Sequence, residues 1–178
     1  MRIRVIGVVA AAALITGVSY LGAQAPGAGT SRVRADMNGF QEDPSVSTTG
    51  NGSFTASIDD EAQVIEYELT YAGLEGGNTL FAHIHLGSHD HNGGVSAFLC
   101  GGSTKPAPCP NVEGTVTGTI RPADVVGPNG QGIEPGAWVE LVRAIRAGHT
   151  YANVHTVRWP GGEIRGQINN QNQRETTK

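Results

Sequence analysis

Thr79-Leu80-Phe81-Ala82-His83-Ile84-His85-Leu86-Gly87 combines a strand pattern with a His-x-His pair. Side chains alternate along a strand, so Leu80, Ala82, Ile84 and Leu86 are placed toward a core, and Phe81, His83 and His85 on the opposite face. The two imidazoles then lie about 7 Å apart along the strand, at roughly 3.4 Å per residue, within reach of one shared ion. A sheet with one wet face that carries two histidines fits the same pattern. What the rest of the chain sets beside this stretch decides between them.

Outward from it, short alternating segments separated by turn residues run through most of the chain. Val33, Ala35 and Met37 alternate with Arg34, Asp36 and Asn38; Phe54, Ala56 and Ile58 follow a polar loop. Ile65, Tyr67, Leu69 and Tyr71 alternate with Glu66, Glu68 and Thr70, the cleanest period of two in the chain. Val95 to Leu99 and Glu113 to Ile120, with Val116 and Ile120 inward, come after the central stretch. One segment changes period: Trp138, Leu141, Val142 and Ile145 fall at helical spacing, predicting a short helix over 136-147. Pro135 suits its first turn, Arg143 and Arg146 complement the dipole, and Gly148 suits a left-handed stop.

Two strands close the pattern, Tyr151 to Val157 and Glu163 to Ile168, joined through Trp159-Pro160-Gly161-Gly162. A three-residue loop, Pro160 to Gly162, matches apolar to apolar by pairing Trp159 with Glu163 and His155 with Gln167, whereas a two-residue loop opposes them, so the three-residue form or a bulge is expected. The prediction is an all-β chain, an antiparallel Greek-key β-sandwich or barrel of about eight strands with one short helix.

The first residues, Met1-Arg2-Ile3-Arg4 before an apolar run from Val5 to Gly22 and Ala23-Gln24-Ala25, read as a secretory signal peptide over 1-25. An uncleaved anchor is the alternative, the run approaching the roughly 18 residues of a span. Residues 26-31 read as a linker, 32-168 as one domain and 169-178 as a flexible polar tail. The chain is therefore expected to be secreted or periplasmic, with no membrane contact once the signal is removed. Sixteen acidic residues against 12 basic ones make nucleic acid an unsuitable partner. Cys100 and Cys109, nine positions apart in an exported chain, are expected to form a disulfide. No Gly-x-Ser-x-Gly elbow, carboxylate pair or phosphate-binding loop points to a hydrolase or nucleotide enzyme.

Alternation also places His155 on the non-core face of its strand, with Tyr151 and Asn153, and Glu163, Arg165 and Gln167 on the non-core face of the last. His83, His85 and His155 would make a three-imidazole set for copper or zinc, provided that their strands are neighbours. His89 and His91, in Ser88-His89-Asp90-His91-Asn92, could complete or duplicate the set, or belong to a solvated loop. His149, just past the helix, suits capping as well as ligation. Glu163 and Arg165 read either as an ion pair or as groups around the metal, Glu163 orienting His155 and Arg165 attracting an anion.

Met37-Asn38-Gly39-Phe40-Gln41-Glu42-Asp43-Pro44 with Thr49-Gly50-Asn51-Gly52, then Ala82-His83-Ile84-His85-Leu86-Gly87, resembles the CHRD domain, first described as repeats in chordin. Gly148 to Thr156 and Pro160 to Gln167 carry the same resemblance. It implies an all-β extracellular domain, and the family pattern reaches His83, His85, His155, Glu163 and Arg165. In chordin the context is binding of secreted growth factors, which implies an extracellular protein partner. The chain departs from the pattern in its His-rich 88–91 loop and in the insertion between Cys100 and Cys109. A fainter similarity is to Cu/Zn superoxide dismutase, through the His-x-His strand and Leu99-Cys100-Gly101. Three functions follow: a metal-binding CHRD protein, copper before zinc; a metal-free module holding a protein or glycan; and a copper oxidoreductase of dismutase type.

Overall fold

The computed structural model describes residues 31–168. The expected signal peptide, the linker up to residue 30 and the polar tail lie outside the described residues. Ser31, read as linker, is the first residue of a strand. Eight strands form: β1 (Ser31–Asn38), β2 (Asn51–Asp59), β3 (Val64–Ala72), β4 (Thr79–Leu86), β5 (Val95–Cys100), β6 (Gly114–Ile120), β7 (Thr150–Thr156) and β8 (Ile164–Ile168). They pair antiparallel in one sheet of order β5-β4-β7-β8-β1-β2-β3-β6. The sheet curls into a nearly closed barrel. Its ends approach where Ala97 of β5 bridges to Val125, just after β6.

Around the barrel, the β3–β4 connection passes over the positions of β6 and β5, and the β6–β7 connection over those of β5 and β4. These two jumps are the Greek-key connections. The interior follows from alternation: Val33, Ala35 and Met37 of β1, Phe54 and Ile58 of β2, and Ile65, Leu69 and Tyr71 of β3 are buried. Ala82, Ile84, Ala152, Val154, Ile164 and Ile168 complete the wall from β4, β7 and β8, each fully buried. The helix α1 (Trp138–Arg146) packs Trp138, Leu141, Val142 and Ile145 against this core. Its Arg146 reaches Ser31 and Asp60, placing its C-terminus beside the start of β1 and the β2–β3 turn.

Three local expectations need correction. The helix begins at Trp138, not near Pro135, because Gly136 at φ 84° is left-handed and interrupts helical backbone. Its stop is as expected: Gly148 has φ 73°, and its N–H donates to the Ile145 carbonyl. Leu80 is 37% exposed, because β4 has an irregularity between Thr79 and Phe81 that turns it out of the core. The β7–β8 register differs as well. Tyr151 pairs with Gln167 and Asn153 with Arg165, four residues away from the expected pairing of His155 with Gln167.

The physical reason is a longer turn. β7 runs on to Thr156 against Thr79 of β4, and the Thr156 and Gly162 N–H groups both donate to the Trp159 carbonyl. An even register shift keeps every side chain on its expected face. Tyr151, Asn153, Arg165 and Gln167 therefore still share one side.

Candidate metal centre

β4 and β7 are neighbours, with Phe81 opposite His155, His83 opposite Asn153 and His85 opposite Tyr151. This pairing converts two separate alternation patterns into one cluster. His83 Nδ1 lies 3.2 Å from His85 Nε2 and 3.1 Å from His155 Nε2. The three nitrogens all fall within 4.8 Å of one another. At metal–nitrogen bonds of about 2 Å, donors on one ion are separated by roughly 4 Å or less. The separations of His83 Nδ1 from His85 Nε2 and from His155 Nε2 satisfy that condition.

Backbone carbonyls set two of the imidazole tautomers. The Nδ1–H of His85 donates to the Gly93 carbonyl at 2.9 Å, and that of His155 to the Pro160 carbonyl at 3.0 Å. A carbonyl only accepts, so both Nδ1 atoms carry the proton, and a neutral ring then leaves both Nε2 atoms as bare lone pairs. Both lone pairs point at His83 Nδ1. At most one proton is available among three converging nitrogens, an arrangement suited to a shared cation. Metal-bound histidines use the same kind of carbonyl clamp on their outer nitrogen.

Burial reinforces neutrality. Desolvation, then the neighbouring His155 and His85, lowers the pKa of His83 from 6.5 to about 2. For His85 and His155 burial is again the first cause, and both fall to about 4. Aromatic rings close the surroundings. Phe81 stacks on His83 and tilts against His155, Phe98 meets His83 edge-on, and Tyr151 lies parallel to His85 at 4.8 Å. The alternative of a wet sheet face is not what forms, since the face is dry: His83, His85 and His155 are 5%, 8% and 4% exposed.

Glu163 and Arg165 are both buried, yet they form no ion pair with each other and neither hydrogen-bonds an imidazole. The Glu163 carboxylate accepts from Thr48 Oγ1, the Glu75 and Gly76 N–H groups and Thr156 Oγ1. It ties β7 to the loops before β2 and β4 rather than orienting His155, whose Nδ1 is held by Pro160. Gly76 is needed at this contact, since a Cβ there would collide with Thr156 and with the Glu163 carboxylate. The Arg165 guanidinium lies over the Tyr151 ring at 3.5 Å and donates to the Ser88 and His91 carbonyls. It holds the 88–91 loop over the sheet, and this loop leads into Gly93, the His85 clamp.

His89, His91 and His149 are exposed and stand apart from the cluster. His89 faces Asp90 at 2.9 Å, and His149 contributes its backbone N–H to the Ala144 carbonyl at the end of α1. Sequence reasoning did not single out Glu42. Its carboxyl accepts from Asn153 Nδ2 at 2.6 Å, and burial pushes its pKa up to about 8. No local signal marks it, because it reaches β7 from the turn after β1. Phe81 was legible by alternation alone. Phe98 was not, because β4–β5 pairing is irregular on both sides of His83–Ile84. Cys100 and Cys109 form the expected disulfide, which fits an oxidising compartment.

A Greek-key barrel with a histidine cluster buried under loops on the outside of two neighbouring strands defines the class of protein. The CHRD domain family model matches residues 33–168, nearly the whole barrel, and the chain belongs to that family. Neither a curated protein nor a solved structure matches the chain. The fainter likeness to Cu/Zn superoxide dismutase accordingly finds no support. No helix among the described residues is long and apolar enough to cross a membrane.

Proposed function

We propose that this chain is a secreted or periplasmic CHRD protein that binds one transition-metal ion, copper before zinc, through His83, His85 and His155. The observation that carries this reading is the convergence of His83 Nδ1 with two bare Nε2 lone pairs at 3.1 and 3.2 Å. Imidazole suits copper and zinc, and affinity at a given nitrogen site rises toward copper in the divalent series. The residues Gly93 and Pro160 would supply the outer hydrogen bonds that such ligands use. Export is supported by the basic-then-apolar start of the sequence and by the Cys100–Cys109 bridge. Storage or delivery of the ion suits a closed site better than turnover of a substrate.

The test is metal analysis and X-ray absorption on copper-loaded protein after gel filtration. One copper per chain with nitrogen neighbours is expected, lost in His83→Ala and His155→Ala. Retention no better than that of an unrelated histidine-bearing protein would sink the reading. A metal-free module for a protein or glycan is favoured instead by one feature. An open concavity of about 520 Å³ lies among Arg32, Arg34, Thr55, Ser57, Glu66 and Glu68 on the β1–β3 face. Binding lost in Arg32→Ala and Glu66→Ala, and unchanged in the histidine variants, would establish that reading.

A further inference from the structure

We infer that the three-histidine site selects a monovalent ion, Cu(I), over Cu(II) and Zn(II). The inference rests on the metal-binding reading above and concerns the charge of the ion. Three observations carry it.

The first is the donor set. Among the described residues the cluster consists of His83, His85 and His155, with no carboxylate or thiolate in it. All three donors are neutral imidazoles, so the full charge of the ion enters the site uncompensated. Glu163, the fully buried acid on the same side of the barrel, directs both carboxylate oxygens to Thr48, Glu75, Gly76 and Thr156. The buried charge stacked on the site's own aromatic system is a cation, Arg165 over Tyr151.

The second is the wall. Phe81, Phe98 and Tyr151 surround the imidazoles at ring-centroid distances of 4.6 to 4.9 Å. Desolvation of an ion rises with the square of its charge, so a divalent ion loses about four times as much hydration energy as a monovalent one of equal size. Neutral donors repay little of that difference. A dry, uncharged pocket therefore disfavours a divalent ion relative to a monovalent one.

The third is coordination number. His83 Nδ1 sits between His85 Nε2 and His155 Nε2, 3.2 and 3.1 Å away, a three-donor arrangement with one central nitrogen. Zn(II) takes four ligands in a tetrahedron, adding a water where a protein supplies three imidazoles, and Cu(II) prefers a tetragonal set; rings only 4 to 8% exposed give such extra ligands little access. The protein supplies three. Copper alone among the metals favoured by imidazole has a readily accessible monovalent state.

The experiment titrates metal-free protein anaerobically with Cu(I) against the chromogenic chelator bicinchoninate. Parallel titrations use Cu(II) and Zn(II) against chelators of matched strength, and Ag(I) serves as a redox-inert monovalent probe. Cu(I) is expected to bind at least about a hundredfold tighter than Cu(II) or Zn(II), with Ag(I) displacing it competitively. In Phe81→Asp, which sets a carboxylate beside His83 and His155, the gap is expected to narrow by at least about tenfold. Far-ultraviolet circular dichroism verifies that this variant is folded, and Phe98→Asp replaces it should it not be. Equal or tighter binding of Cu(II) or Zn(II) overturns the inference and leaves the metal-binding reading standing. Failure of every ion to bind above the His155→Gln background removes both.

Discussion

β3 and β7 are strands of the same barrel with opposite relations to water. Along β3 burial alternates: Ile65, Tyr67, Leu69 and Tyr71 are inside, while Glu66 and Glu68 are exposed. Along β7 all seven residues, Thr150 to Thr156, are buried. The inner faces are built alike; the outer faces differ because of what covers them. Over β3 there is solvent. Over β4, β7 and β8 lie the turn carrying Glu42, the loops at Thr48 and Gly76, the 88–94 loop and the Trp159–Gly162 turn. These coverings create a second, polar interior outside the barrel, and the histidine cluster belongs to it. Alternation tells which face a residue takes; cover tells whether that face is wet.

The largest expected contrast sets Glu163 against Glu68. Glu163→Ala leaves the Glu75 and Gly76 N–H groups and two hydroxyls without their acceptor, at an expected cost of about 3 to 5 kcal/mol. Glu68→Ala, on the solvated face of β3, is expected to stay within about 0.5 kcal/mol. Urea unfolding of both variants measures the difference, and similar values would show that the outer face of β7 is no second core.

Acid should act on the same contrast in the metal-free protein. The histidines titrate near 6.5 when unfolded but at about 4 (His85, His155) and about 2 (His83) when folded. Between pH 6.5 and 4 the unfolded chain binds more protons. Stability therefore falls as pH drops through this window. Glu42 works in the other direction. With its folded pKa raised from 4.5 to about 8, its contribution is complete below pH 4.5 and is lost as pH rises toward 8. Thermal unfolding of metal-free protein should peak near pH 6.5, and Glu42→Gln should flatten the alkaline limb. An unchanged alkaline limb would show that Glu42 is ionised within the fold.

A smaller effect is expected at Tyr151. Its hydroxyl accepts from the Gly93 N–H at 3.2 Å, so Tyr151→Phe should cost about 1 kcal/mol while retaining the stack on His85. Hydrogen exchange should become faster at Gly93 and remain unchanged in β3. The smallest is Thr70→Ala, which removes an exposed hydroxyl contact to Thr115 and is expected to change stability by less than about 0.5 kcal/mol.

Much of the barrel was legible. The eight strands, the helical period of Trp138, Leu141, Val142 and Ile145, and the disulfide all follow from local patterns and spacing. The site was legible only as three histidines on outward faces. Two errors are informative. Leu80 fits the alternation but sits at a strand irregularity that the sequence does not announce. Glu163 was placed beside His155 by face, whereas its partners are Thr48, Glu75 and Gly76, far away in sequence and recognisable only once the loops pack.

By itself, then, the sequence determined that His83 and His85 share a face, that His155 takes the corresponding face of its own strand, and that the chain is all-β. Those properties depend on backbone alternation and turn chemistry, which act over a few residues. Only the tertiary structure decided that β4 lies against β7, that the Gly93 and Pro160 carbonyls clamp two imidazoles, and that the face between them is dry. Strand partners and loop cover join residues tens of positions apart, and they are selected by the packing of the whole chain rather than by any segment of it.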